Sequence, residues 1–425
     1  MLLVHAAARR AVRPAAVARA RAALFSAEGE GGEGEGARPT LLTLVNPGAF
    51  YVTGNTDRHT VPFKQEKGGD SDAGDQAVRV LVPPEVAPLL HGMERRVGGD
   101  RPAGTGDEDP KVRDVLDTGA VVLTGPAGIG KTTVLEMVVS ACRAAGWLTL
   151  YLPDPRTFTH EGIQVRPGRH EDRNLYDQPE LVLPFLKNFY ILHQEQLRKV
   201  VCKTDGAKER GETMLDLVEH GIRKATDCGV VVRDVREEMK LATEVPTLVA
   251  VDDLEALYTK TAYGFEGVDL WPSNLVFPRV FQNFSALGLN ETARLANGFV
   301  VAASTSKYGN ARGVHGERLD VTRHAFPMNR LSAEQTGHFV RDHLANVKTD
   351  RTAAGKGRGA GAWGGVSDKD IARVHMMSGG VPKSILKEAA FLPYDKGMSM
   401  HAPGGSFATK DRIKARRKSM AEQEE

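Results

Sequence analysis

Cysteine is scarce in this chain: Cys142, Cys202 and Cys228 are the three among 425 residues. None forms a C-x-x-C pair. An odd, scattered set argues against a disulfide framework or a thiolate zinc site, and fits small core or surface residues in a reducing compartment. No apolar run approaches the about 18 residues of a membrane span, so no membrane partner is expected. Ligand spacing is missing among the 13 histidines, where no H-E-x-x-H occurs, and they are assigned no chemistry. A dominant charge is missing too. Lys and Arg total 56 against 54 Asp and Glu, a formal net charge of +2. That balance does not demand a nucleic-acid partner, yet it permits one held by a local patch.

What the chain does have is a phosphate-binding loop. Gly125-Pro126-Ala127-Gly128-Ile129-Gly130-Lys131-Thr132 matches G-x-x-x-x-G-K-[ST] at every required position. Ala120–Thr124 before it reads as a buried strand, and the apolar-faced run from Thr133 reads as a helix. Glycines let the backbone curl so that N–H groups converge on phosphate oxygens, and the helix adds its positive pole. The nucleotide-binding set is therefore Gly125, Pro126, Ala127, Gly128, Ile129, Gly130, Lys131, Thr132 and Thr133. Lys131 suits the β- and γ-phosphates and the Thr132 hydroxyl suits Mg²⁺.

A second metal-holding residue is expected at the end of another strand. Leu248-Val249-Ala250-Val251-Asp252-Asp253 is an apolar run closed by acids, the Walker B pattern. A strand beside the loop strand would bring Asp252 to the Mg²⁺ shell. Asp253 falls where many ATPases carry a water-orienting glutamate, one methylene longer, and is the candidate catalytic residue. Ser304, after the strand Phe299–Ala303, is either a sensor of the γ-phosphate or a polar strand end. Lys383, in Gly379-Gly380-Val381-Pro382-Lys383, is either a second sensor or a solvated first-turn lysine. No N-K-x-D sequence picks out guanine, so motifs alone leave GTP, GDP and ATP open.

Short apolar strands alternating with helices indicate an α/β fold, a P-loop NTPase with a mainly parallel, doubly wound sheet. Trp147–Leu152 is a further core strand, and Leu181–Val200 a helix with Pro184 near its start. Thr213 and Asp216 can cap a helix running to about Thr226. Beyond the sheet, Ser332 to Gln335 forms a capping box, Ser367 caps a helix that Gly379-Gly380 ends, and Pro382 starts one more. The expected organisation is a nucleotide-binding domain over 78–330 and a small C-terminal helical lid over 331–395, interrupted by a Gly-rich insertion at 351–365. An extended arm occupies 26–77, with a short strand at Leu41–Val45. A basic tail, 396–425, either touches RNA or is a solvated terminus.

Residues 1–25 carry Arg9, Arg10, Arg13, Arg19 and Arg21, many alanines and no acid. That is the composition of an organellar transit peptide, with a basic tail as the alternative.

Together these stretches resemble the mitochondrial small-subunit ribosomal protein 29 family, also called death-associated protein 3. The resemblance rests on the loop, on Trp147–Asp154, on Tyr176–Pro179 with Phe185–Phe189, on Leu248–Asp252 and on Asp253–Tyr258. It implies a domain related to AAA+ and STAND ATPases in the head of the mitochondrial small ribosomal subunit, in the matrix. It implies a guanine nucleotide with Mg²⁺, little or no turnover, and contacts with small-subunit ribosomal proteins, ribosomal RNA and, through intersubunit bridges, the large subunit. Asp253 departs from the glycine associated with animal members, and the 351–365 insertion is also unlike them. Read without the resemblance, the residues favour a free mitochondrial ATPase or signalling switch.

Overall fold

The computed structural model describes residue 41 and residues 50–53, 78–81, 83, 86–98, 118–162, 165–168, 175–284, 295–304, 324–341 and 366–389. Residues 1–25, expected to be a transit peptide, the 351–365 insertion and the basic tail lie outside the described residues. So does the strand expected at Leu41–Val45, except for Leu41, which is helical. The chain divides into two units, Met1–Met328 and Asn329–Glu425.

In the first unit, β1 (Phe50–Thr53) pairs antiparallel with β2 (Val78–Leu81), and α1 (Val86–Gly98) follows. The central sheet comprises β3 (Ala120–Thr124), β4 (Leu148–Leu152), β7 (Thr247–Val251), β10 (Gly298–Ala303) and β11 (Ala325–Pro327). Its order is β11-β3-β10-β7-β4, and every neighbouring pair is parallel. Sequence reasoning placed the Asp252 strand beside the loop strand. Instead β10 lies between them, because the chain runs from β3 to the far edge and returns one strand at a time.

The strands read as continuous apolar runs because both sheet faces are covered. Side chains alternate between those faces. Across the sheet, Ala120, Val300, Val249 and Leu150 are in register and belong to one core. One residue further, Val121, Val301, Ala250 and Tyr151 align and belong to the opposite core. That second core is closed by α1 and by α2 (Lys131–Ala144), through Met93, Leu135 and Val138.

The first core is closed by α4 (Pro179–Lys199), α6 (Met214–Arg223), α7 (Cys228–Leu241) and α8 (Val276–Phe284). Between these lie α3 (Pro155–His160), the β5–β6 ladder (Arg166–Pro167 with Tyr176–Asp177), the short α5 (Asp205–Lys208) and the β8–β9 hairpin (Gly264–Phe265 with Val268–Asp269). Helix α6 opens at the expected reciprocal box of Thr213 and Asp216. Pro184 falls inside α4, whose start is Pro179. All three cysteines are buried. Burial raises the Cys142 thiol well above its usual range, Cys202 to about 12 and Cys228 to about 11, so they stay protonated and unreactive.

The second unit is helical where described. Helix α9, over 333–341, opens at the Ser332 box, where Gln335 N donates to Ser332 Oγ at 3.2 Å and Ser332 N to Gln335 Oε1 at 2.8 Å. Helix α10 (Asp368–Ser378) has the same device in Ser367 and Asp370 and ends at left-handed Gly379. Helix α11 (Pro382–Ala389) follows. Leu331, Val340, Ile371, Val374, Ile385 and Ala389 are the buried apolar residues among those described in this unit.

Candidate nucleotide site

Carboxyl ends of parallel strands are where open α/β sheets place their ligands, and the first unit's residues singled out from the sequence follow the carboxyl ends of β3, β7 and β10. After β3 the chain turns through Gly125, Gly128 and Gly130, with φ of 143°, 81° and 103°. These values belong to glycine. Gly125 also packs closely, since a Cβ there would lie 3.2 Å from the Met328 carbonyl oxygen. Ile129 is buried and its amide donates to Pro126 O at 3.3 Å, which pins the turn to the core. Gly130 caps α2, accepting from Val134 N at 2.9 Å. The backbone from Gly125 to Ala127 faces solvent.

Lys131 is only 8 % exposed. Its ammonium donates to Gly125 O at 2.8 Å and to Pro126 O at 3.0 Å, so it curls over the turn. Burial pulls its pKa down, while the charges of Glu255 and then Asp252 push it back up. Thr132 and Thr133 are exposed in the first turn of α2.

Asp252 follows β7, with its amide donating to Leu152 O at 3.0 Å. Burial raises its carboxyl pKa, and the nearby Thr132 hydroxyl opposes that rise. Thr132 and Asp252 therefore meet although β10 separates their strands. Asp154, at the end of β4, adds a negative charge that also raises Asp252. No group of three or more His, Cys, Asp or Glu suited to a metal occurs among the described residues. A hydroxyl and one carboxylate match Mg²⁺ instead, which is usually held by one or two carboxylates together with substrate phosphates.

Asp253 adopts a left-handed backbone, φ 47°, and its amide donates to Asp252 Oδ1 at 2.9 Å. The following 3₁₀ turn, Leu254–Tyr258, carries Glu255, which is buried. The Ser304 hydroxyl donates to Glu255 Oε1, and Ser304 N donates to Leu123 O at 3.0 Å. Sequence reasoning gave Glu255 no role. The available signal was an acid three places beyond Asp252, because one 3₁₀ turn returns a side chain to the same side. Lys383 is exposed in the first turn of α11, in the second unit.

A parallel α/β sheet, a glycine-rich turn that opens a helix, and an acid from another strand end near that helix's first-turn threonine are what the carboxyl ends of these strands bring together. Residues 116–339 match the family described as mitochondrial ribosomal death-associated protein 3. This chain belongs to that family. Over 150 residues it is 29 % identical to small ribosomal subunit protein mS29 of Bos taurus, covering 33 % of this chain and 37 % of that protein. The mS29 of Mus musculus is 31 % identical over 150 residues, covering 33 % and 38 %. The matched region thus spans little more than a third of these relatives.

Proposed function

We propose that this chain is a structural component of the small subunit of the mitochondrial ribosome that holds a guanine nucleotide with Mg²⁺. The names of the bovine and mouse relatives support the ribosomal assignment, and with it the matrix location. Neighbours would be small-subunit proteins, ribosomal RNA and, through intersubunit bridges, the large subunit. The observation that carries the nucleotide reading is the nearness of the Thr132 hydroxyl to the Asp252 carboxylate, which pulls that carboxyl's pKa down against burial, because these are the two groups suited to Mg²⁺. Gly125 to Thr133 would wrap the phosphates, with Lys131 on the β- and γ-phosphates. Bound nucleotide would stabilise the fold by mass action. Residues 1–25 would be the import signal, 78–330 the nucleotide domain and 331–395 its lid.

Sedimentation of the imported protein in organelle extract tests the ribosomal role. Co-migration with the small subunit supports it, and migration only as a free species rejects it. A second reading, a free ATPase or signalling switch, is favoured by one observation: a buried carboxylate, Glu255, whose charge acts on Lys131.

A further inference from the structure

We infer that Glu255, and not Asp253, is the carboxylate that orients water for attack on a bound nucleoside triphosphate, with Ser304 as its positioning residue. The inference rests on the nucleotide reading above and adds to it a residue-level capacity for hydrolysis.

Three observations carry it. Ser304 directly follows β10, the strand beside the loop strand, and its amide bonds Leu123 O at 3.0 Å, two residues before Gly125. Its hydroxyl proton is given to Glu255 Oε1, so Ser304 fixes a carboxylate next to the phosphate turn. Glu255 is also the carboxylate whose charge acts most strongly on Lys131, ahead of Asp252. Lys131 belongs to the β- and γ-phosphates in loops of this kind, so Glu255 faces the terminal phosphate's side of the site. Asp253 has a different task. Its left-handed backbone turns its amide onto Asp252 Oδ1 and opens the 3₁₀ turn that delivers Glu255.

The step balances without any further reactant. Water oxygen forms a bond to the γ-phosphorus and the bond from that phosphorus to the β–γ bridging oxygen breaks. The electron pair leaves with the nucleoside diphosphate. Glu255 takes a proton from the water and returns it to the released phosphate or to solvent.

The test uses the full chain with Mg²⁺, comparing Mg·GTP, Mg·ATP and Mg·GDP on wild type and on Glu255→Gln, Asp253→Asn, Ser304→Ala and Lys131→Ala. Glutamine keeps an acceptor oxygen for Ser304, so Glu255→Gln is expected to melt with the wild-type protein. Single-turnover hydrolysis should fall about 100-fold or more in Glu255→Gln and to a lesser degree in Ser304→Ala. Mg·GDP affinity, measured by calorimetry, should stay near wild type in both, a split that simple misfolding does not produce. Asp253→Asn keeps the backbone amide that meets Asp252, so its loss should be smaller than that of Glu255→Gln. Wild-type hydrolysis no faster than Lys131→Ala, an unchanged rate in Glu255→Gln, or a loss carried by Asp253→Asn overturns the inference while leaving nucleotide binding intact. Absence of nucleotide binding in the wild type overturns the reading beneath it.

Discussion

The Thr132 hydroxyl lies near enough to the Asp252 carboxylate to oppose the rise that burial gives its pKa, across a sheet in which β10 separates the two strands that lead to them. Strands β3 and β7 each pair with β10 and not with one another. The meeting is therefore made by the loop and by the first turn of α2 leaning over the end of β10. That strand is followed by Ser304, a polar position after the strand that lies between those leading to Thr132 and Asp252.

Lys131→Ala removes the one buried ammonium of the turn. A hydrogen bond to a charged partner contributes about 1.5–3 kcal/mol. Nucleotide affinity should therefore fall by roughly 10- to 150-fold while the fold persists, because the lost contacts are to the loop's own carbonyls. Calorimetric titration of the variant checks this, and equal affinity rejects the assignment of the loop.

Gly130→Ala isolates backbone conformation from packing. A Cβ at Gly130 meets nothing within 4 Å, yet φ is 103°. The cost is thus the left-handed conformation itself, about 1–2 kcal/mol. A lowered melting midpoint together with weakened nucleotide binding is expected, since the chain relieves the strain by reshaping the turn. A neutral outcome in both measurements contradicts the local geometry.

Asp227 supplies a pH dependence unconnected with the site. Lys224 Nζ lies 2.8 Å from its carboxylate, Thr226 Oγ1 donates at 3.1 Å, and His220 Nε2 is at 3.4 Å. The Lys224 bond is the largest cause that lowers its pKa from 3.8 to about 2. A depressed carboxyl stabilises the folded state above its unfolded pKa, and that contribution disappears as pH falls through the folded value. Asp227→Asn should therefore cost about 1 kcal/mol or less at pH 7, because water screens a pair near the surface. The difference from wild type should close between pH 4 and pH 2. Denaturant melts at both ends of that window measure it.

Much of this was legible from residues alone because the signals are local. Glycine at 125, 128 and 130 states a backbone requirement that no neighbour alters. Thr213 with Asp216, and Ser332 with Gln335, announce helix starts within four residues. Strand order is a different kind of fact. It depends on which strand fills the gap between β3 and β7, and nothing local to Phe299–Ala303 says so. Helix α7 has no comparable local signal: Val230-Val231-Val232 is a β-branched run with strand preference, and packing against α4, α6 and α8 overrides it. Glu255 was passed over for a related reason. Its place is set by the 3₁₀ turn after Asp253 and by a hydroxyl almost 50 residues later in the chain. Within α4, His193 departs from helical geometry and is buried against Thr149 at 2.9 Å. Burial holds its pKa well below the usual range, so it remains a neutral core residue, with no ligand spacing to mark it.

The most direct measurement is to purify the native small ribosomal subunit carrying this chain, denature it, and identify any nucleotide released by mass, beside the same particle bearing Lys131→Ala. Our account predicts a guanine nucleotide in wild-type particles and its loss in the variant. Particles that release no nucleotide, or the same amount with and without Lys131, would contradict it.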